Sequence, residues 1–116
     1  MKKLFLMATL LVSIVAAKAQ ISEIKISGSL AWIYNDQGNS GKYISLGGFE
    51  LAGYNSSYAV IADRTSASIY DSNGSNTGYT ISLAGGKTVQ NVTGSYILIK
   101  DGNNVYYYDF KGSFIR

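Results

Sequence analysis

An internal repeat constrains the fold of this chain more than any other feature of its sequence. Residues 57–71 read SYAVIADRTSASIYD, and residues 95–109, placed 38 positions later, read SYILIKDGNNVYYYD. The two copies align without a gap and share Ser-Tyr at the start, Ile and Asp in the middle and Tyr-Asp at the end. A segment that recurs at this spacing indicates a chain built from repeated structural units.

A shorter signature, Tyr-(Asn/Asp)-x-x-Gly, extends the repeat over most of the chain. Its three copies lie at residues 34–38, 70–74 and 108–112, at spacings of 36 and 38. The first two copies are followed by similar segments, KYISLGG at 42–48 and YTISLAGG at 79–86. These matches predict units of about 37 residues. The predicted units are a partial one over residues 20–41 and two full ones over 42–78 and 79–116.

Composition and turn chemistry predict an all-β fold. The chain has ten Tyr, thirteen Gly and no Pro, and beyond its first nineteen residues it shows no helical spacing of apolar residues. Gly-Gly, Asn-Gly and Asp-Gly pairs provide the positive φ angles of tight turns, and turns this short make neighbouring strands antiparallel. A meander of strands is predicted at residues 22–27, 30–34, 42–46, 49–53, 58–62, 67–70, 79–83, 88–92, 96–100, 105–108 and 113–115.

The third strand of each full unit is apolar on both faces. Residues 59–62 read AVIA and residues 97–99 read ILI, and such a strand has to be covered from both sides. Four meandering strands in a unit of this length resemble the blade of a β-propeller. The resemblance is a loose pattern of Gly-x-Tyr, an apolar run, a turn and apolar-Tyr-Asp-x-x-Gly. The Trp-Asp dipeptide, the kelch double-glycine set and the sialidase Asp box are absent from the sequence.

The resemblance implies an incomplete ring. A closed propeller has about four blades or more, whereas this chain has about two and a half units. Either several chains complete one ring, or the units form an open sheet, a sandwich or a small barrel. The leading strand at residues 24–27 and the truncated last strand are expected to complement each other, within a chain or between chains, because unpaired edges invite pairing.

Residues 1–19 have the order of a secretory signal peptide, of a kind typical of bacteria. Met1-Lys2-Lys3 is basic, residues 4–17 form an almost unbroken apolar run, and Ala17-Lys18-Ala19 is a small-x-small cleavage site. The run is too short to cross a bilayer as a helix. We therefore expect an exported protein, periplasmic, extracellular or at the cell surface, with a β-repeat domain over residues 20–116 and no stable membrane span.

Removal of this leader changes the charge balance. Lys2, Lys3 and Lys18 leave with it, so seven basic and seven acidic side chains remain and the net charge is zero. No basic run is left to neutralise several phosphates, which argues against nucleic-acid binding. The chain has no His and no Cys, which excludes Ser-His-Asp and Cys-His catalysis, the usual zinc sites and disulfides. No cofactor is expected.

The acidic residues are predicted to cap turns. Asp63 and Asp101, like Asp71 and Asp109, occupy equivalent repeat positions beside turns, where Asp accepts hydrogen bonds from backbone amides. Residues 71–76, DSNGSN, offer oxygen ligands at alternate positions as a calcium loop does. That segment lacks the Gly at the sixth position and the Glu at the twelfth. We predict no catalytic residue and no metal site.

Aromatic residues are the best candidates for ligand binding. They recur in the repeat at Trp32, Tyr34, Tyr70, Tyr106, Tyr107 and Tyr108. Consecutive tyrosines alternate between the faces of a strand, and amphipathic rings suit carbohydrates or partner proteins. The alternative is that these rings form the core between sheets. Residues 101–115 also resemble the aromatic hairpin of choline- and glucan-binding repeats, but the period near twenty residues and the paired tryptophans of that family are missing.

These observations favour a non-catalytic exported β-repeat protein that acts by binding or by assembly, with itself or with another surface protein. A carbohydrate-binding module that uses the repeated Tyr and Trp residues is the alternative. An enzyme of the carboxylate type would need two Asp side chains that converge across a cleft.

We expect export to remove residues 1–19. Mass spectrometry of the exported protein should give the mass of residues 20–116 with Gln20 first, because the peptidase requires small side chains at its cleavage site. An Ala19→Leu variant should keep its leader. An exported wild-type protein of full-length mass would contradict this expectation.

Overall fold

A computed structural model describes residues 20–116, and the predicted leader lies outside them. The described chain folds into ten β-strands and contains no helix. The strands are β1 (Glu23–Ser27), β2 (Leu30–Asn35), β3 (Gly38–Ser45), β4 (Glu50–Tyr54), β5 (Tyr58–Ala62), β6 (Ser66–Asp71), β7 (Asn76–Ser82), β8 (Thr88–Val92), β9 (Ile97–Asp101) and β10 (Asn104–Tyr108). The prediction of an all-β antiparallel meander is confirmed.

The strands form three separate sheets. We call β1-β2-β3 the first sheet, β4-β5-β6-β7 the middle sheet and β8-β9-β10 the third sheet. Every pairing is antiparallel and joins strands that are consecutive in the chain. The predicted last strand at 113–115 is present as a single bridge between Tyr108 and Phe114, at the free edge of β10.

The sheets and the sequence units differ in phase by one strand. The strands that end at the Ile-Ser-Leu motif, β3 and β7, are the first strands of the predicted sequence units. In the structure each is the last strand of a sheet, because β3 pairs with β2 and β7 pairs with β6. The signature turn explains this grouping, because the Asp71 amide donates to the Ser75 carbonyl and the Gly74 amide to the Asp71 carbonyl. A turn this tight folds the next strand back onto its predecessor. The Gly-Gly loops at 47–48 and 85–86 then lead to the next sheet.

The middle sheet is buried on both faces, and β5 shows this most clearly. Its Ala59 and Ile61 belong to the core shared with the first sheet, whereas Val60 belongs to the core shared with the third sheet. All three side chains are at most 1 % exposed. The three sheets thus stack face to face with the middle sheet in the centre, and the two-sided coverage predicted for β5 is observed. The same prediction for residues 97–99 of β9 is wrong, because Ile97 and Ile99 are buried whereas Leu98 points to a face that no other sheet of the described chain covers.

Two hydrogen bonds between loops also link neighbouring sheets. The Ile21 amide donates to the Ser56 carbonyl over 2.7 Å and fastens the start of the described chain to the middle sheet. The Asn55 side-chain amide donates to the Thr93 carbonyl over 2.9 Å and fastens the middle sheet to the third. These bonds lie in loops, so they hold the sheets together at their edges, while apolar side chains fill the space between the sheets.

In the second and third copies of the signature, the glycine lies against the backbone of the preceding sheet. A Cβ on Gly74 would lie 2.6 Å from the Tyr43 carbonyl oxygen of the first sheet, and a Cβ on Gly112 would lie 2.5 Å from the Thr80 carbonyl oxygen of the middle sheet. Both glycines have a φ near +80°, which L side chains rarely adopt. These two copies of the signature therefore encode a contact between sheets in addition to a turn, whereas Gly38 of the first copy has no atom within 4 Å of its Cβ position.

We expect Gly74→Ala to destabilise the protein more than Gly78→Ala. Both positions have positive φ, which costs about 1–2 kcal/mol for a residue with a Cβ. Gly78 faces open space, whereas Gly74 faces the Tyr43 backbone, so its substitution adds about 1–3 kcal/mol of overpacking. Urea unfolding of both variants measures the difference, and equal losses would show that the close approach has no energetic weight.

Candidate binding faces

The first sheet leaves one face uncovered by the rest of the described chain. Side chains alternate along a strand, so Ile24, Ala31 and Ile33 enter the core and their neighbours point the opposite way. We call this opposite surface the first end face. It consists of Glu23, Lys25, Leu30, Trp32, Tyr34 and Tyr43.

Aromatic rings and one cation dominate the first end face. Trp32 and Tyr43 are cross-strand partners whose ring centroids lie 5.1 Å apart at an interplanar angle of 51°. Lys25 places its Nζ 4.7 Å from the centre of the Tyr34 ring, a cation–π contact. Tyr43 is 49 % exposed. The surface is therefore apolar in its centre, with hydroxyl and ammonium groups available for hydrogen bonds.

The third sheet presents a second uncovered face of similar character. We define this second end face as Tyr96, Leu98, Lys100, Val105, Tyr107 and Arg116. The Tyr96 and Tyr107 rings meet edge to face at 5.4 Å. The Arg116 guanidinium lies 4.7 Å from the Tyr107 ring centre and 5.2 Å from that of Tyr96. The Tyr107 amide donates to the Arg116 carbonyl over 2.6 Å, which holds the cation in place.

The six aromatic residues predicted as binding candidates do not form one surface. Trp32 and Tyr34 lie on the first end face, and Tyr107 lies on the second. Tyr70 packs against the core between the first and middle sheets, and Tyr108 against the core between the middle and third sheets. Tyr106 is half-buried and contacts the exposed Phe114 ring at 5.9 Å. The hairpin of residues 101–115 thus divides its tyrosines between two faces.

Of the residues that make the ring contacts on the end faces, sequence reasoning did not select Tyr43, Tyr96 and Arg116. Tyr43 becomes visible once β3 is paired with β2, because the register places it opposite Trp32. Tyr96 belongs to the repeat and lies at the start of a predicted strand. Its role on the second end face depends on which face of the third sheet stays uncovered, which the repeat does not indicate. Arg116 has no sequence signal, since only the backbone pairing after β10 brings it over the rings.

Three of the four repeated aspartates accept backbone amides. Asp71 Oδ1 accepts the amides of Asn73 and Ser75, and Asp109 Oδ1 accepts those of Lys111 and Ser113. The DSNGSN carboxylate is thus used by its own turn, and residues 20–116 contain no cluster of three or more potential metal-binding acids. Asp101 differs, since its side chain makes no hydrogen bond within the described residues. It pairs with Asn104 across the two-residue turn of Gly102 and Asn103.

Asp63 is the aspartate with the densest hydrogen bonding. Its Oδ1 accepts the Thr65 amide at 2.8 Å, the Ser66 amide at 2.9 Å and the Thr65 hydroxyl at 2.9 Å. The two backbone hydrogen bonds, from Thr65 first, hold the pKa of this carboxyl below its usual value of 3.8. The charged form is therefore favoured in the folded protein.

An open cleft of about 900 Å³ lies at the ends of the middle and third sheets. Charged residues of both signs line it, namely Glu50, Asp63, Arg64 and Lys87, beside the apolar Leu83 and Val89. Asp63 stays charged in this cleft, but its Oδ1 is already occupied by hydrogen bonds from its own turn. It is separate from both end faces.

Comparison with known proteins identifies no relative. No protein-family model, no curated protein and no solved structure matches this chain. Between residues 20 and 116, no helix is long and apolar enough to cross a membrane. A function for this chain has to be inferred from the packing and chemistry of its own residues.

We expect Asp63→Asn to lose stability at neutral pH and to lose less in acid. A carboxyl whose pKa is lowered on folding stabilises the protein above its unfolded pKa, and this stabilisation disappears as the pH falls through the folded pKa. The gap between wild type and variant should therefore be largest at pH 7 and should close below the folded pKa. Urea unfolding over this range measures it, and a gap that is independent of pH would contradict the role of the charge.

Proposed function

We propose that this chain is an exported, non-catalytic β-repeat protein that works by binding or by assembly through its two end faces. One observation carries the proposal. The middle sheet is covered on both faces, whereas the first and third sheets each leave one face uncovered, and both uncovered faces are rich in aromatic side chains. Exposed aromatic and apolar surface of this kind marks an interaction site.

The stack also supports an interpretation of the sheets as propeller-like blades. The middle sheet is a complete four-stranded antiparallel meander, and its neighbours are three-stranded versions that lack one strand each. Sheets of this kind bury both faces when they occupy a closed ring. Under this interpretation, the end faces are the two sides of a gap in the ring.

A binding role agrees better with the polar residues than a catalytic role does. The chain has no His and no Cys. Asp63, Asp71 and Asp109 use their carboxylates to cap turns, which leaves them poorly placed for proton transfer to a substrate.

The leader and the charge balance determine which partners we propose. Export would place the domain in the periplasm or outside the cell, where it would meet other copies of itself, surface proteins and glycans. Its net charge of zero without residues 1–19 gives no attraction to nucleic acid.

Carbohydrate binding at the first end face is the second candidate. The exposed Tyr43 and the half-buried Trp32 form a pair of neighbouring rings, and Lys25 and Tyr34 next to them offer polar groups. In such a site the two rings stack on the apolar face of a sugar, and the neighbouring polar groups bind the sugar hydroxyls. The tilt of 51° between the rings favours a twisted or branched glycan over a flat crystalline one.

The fluorescence of Trp32 tests both candidates, since it is the only tryptophan in the chain and lies on the first end face. We expect its emission to shift to shorter wavelength, and its quenching by acrylamide to fall, when a partner covers that face. Three additions separate the partners: more of the protein itself, soluble oligosaccharides, and surface proteins of the producing cell.

A Tyr79→Ser variant is the matched control, because Tyr79 is 43 % exposed but lies on β7 of the middle sheet. It should respond as the wild type does, whereas Tyr43→Ser should respond less. Protection by oligosaccharides alone would establish the carbohydrate candidate. Trp32 that stays equally accessible under all three additions would overturn the proposed function.

A further inference from the structure

Building on the proposed function, we propose that the partner is a second copy of this chain and that two copies close head to tail into one ring of six sheets. In this ring the second end face of each copy packs against the first end face of the other. The inference follows from the way the sheets already pack within one chain.

The hairpin registers establish which positions are equivalent in the three sheets. The signature tyrosine of each copy pairs with a residue of the preceding strand: Tyr34 with Glu23, Tyr70 with Ala59 and Tyr108 with Ile97. The next residues along those strands are Ile24, Val60 and Leu98, which we call the forward position. The residues after these are Lys25, Ile61 and Ile99, which we call the backward position.

Each interface inside the chain joins a forward position to a backward position. Ile24 of the first sheet and Ile61 of the middle sheet belong to one core, and Val60 of the middle sheet and Ile99 of the third sheet belong to the other. The same contact is thus made twice. Two positions are left without a counterpart in the described chain, namely Leu98 on the second end face and Lys25 on the first.

The second end face has the composition of a forward face. Leu98, Val105 and Tyr107 stand where the middle sheet has Val60, Ala67 and Ile69, all fully buried. Val105 is nevertheless 37 % exposed. These apolar side chains are at the positions that, in the other two sheets, contact a neighbouring sheet.

The first end face matches a backward face in its aromatic residues. Trp32 and Tyr34 occupy the places that Tyr106 and Tyr108 hold in the third sheet, and Tyr108 packs there against the core. Lys25 differs from Ile61 and Ile99 by its charge, but its aliphatic stem can cover apolar surface while the ammonium reaches the edge.

Charge also favours contact between unlike faces. The second end face carries two cations, Lys100 and Arg116, and no acidic residue, whereas the first end face carries one charge of each sign, Lys25 and Glu23. Two second end faces would repel each other. Contact with a first end face removes this repulsion between like faces and offers the Glu23 carboxylate to the two cations.

Head-to-tail contacts make either a closed ring or an open filament. Rings of stacked sheets typically have about four to eight members, and each chain contributes three sheets. Two copies give six sheets, which lies in that range, whereas one copy or three copies fall outside it. We therefore infer a ring of two copies, with two identical interfaces.

Cysteine crosslinking tests this arrangement, because the chain has no cysteine of its own. A Lys25→Cys, Leu98→Cys double variant treated with a short bismaleimide should give a covalent dimer and nothing larger. Each single variant alone should stay uncrosslinked, since neither face meets its own kind. An equal mixture of the two singles should give a dimer with one link. A Tyr79→Cys variant is the control for random collision.

Sedimentation of the untreated wild-type protein gives an independent readout that does not depend on the variants folding. We expect the mass of a dimer at moderate concentration. A monomer at all concentrations would overturn the inference, as would a crosslinked Lys25→Cys single variant or a ladder of products beyond the dimer. If the protein is a monomer and a glycan or a surface protein still protects Trp32, the partner is not a second copy. That outcome would overturn this inference and leave the proposed function intact.

Discussion

The structure depends on the burial of one strand from both sides. β5 is covered by a sheet on each face, and the alternation of its side chains assigns Ala59 and Ile61 to one core and Val60 to the other. Neither outer sheet has such a strand, so each depends on the middle sheet for its only core. Within residues 20–116 no polar or charged side chain is buried, so apolar contact between sheets is what holds the stack together.

This dependence explains why the covered faces and the end faces differ in residue composition. A face that packs against a neighbour can be made of small and β-branched residues, as in the middle sheet. A face at the end of the stack meets water, and here it carries tyrosine, tryptophan, lysine and arginine in mixed arrangements. Such residues tolerate exposure in the free protein and still bury large areas on association. The end faces are therefore suited to a contact that forms after folding, whereas the internal cores form during it.

Much of the fold could be predicted from the sequence, because its signals are local. Gly-containing turns define the hairpins, and the apolar run around Val60 indicates the coverage from two sides that β5 has. The similar run around Leu98 does not have that coverage, because it depends on a further sheet beyond the third. The pairing of β7 with β6 was harder to predict, since it depends on which of two connections is the tight turn. Asp71 decides this by accepting the amides of its own turn, and its sequence position alone is equally compatible with the end of a sheet.

The candidate faces could be predicted only in part. Alternation along β10 already separates Tyr107 from Tyr106 and Tyr108. Which of the two sets stays exposed depends on whether another sheet follows, and that is a property of the whole stack. The roles of Tyr43 and Arg116 depend on pairing across strands and on the path of the last residues, for which no single segment of the sequence has a signal.

The approach of Gly74 and Gly112 to the preceding sheet has a consequence for how such a chain can change in length. The two signature turns are in contact with backbone of a neighbouring sheet, so an inserted residue there would push two sheets apart. The Gly-Gly loops at 47–48 and 85–86 face open space and connect sheets without lying between them. Variation in length should therefore accumulate in these loops, and the spacing between successive signatures can drift while the turns themselves stay constant. The spacings of 36 and 38 residues already differ, and the segments after the first two signatures, including these loops, align only with an insertion.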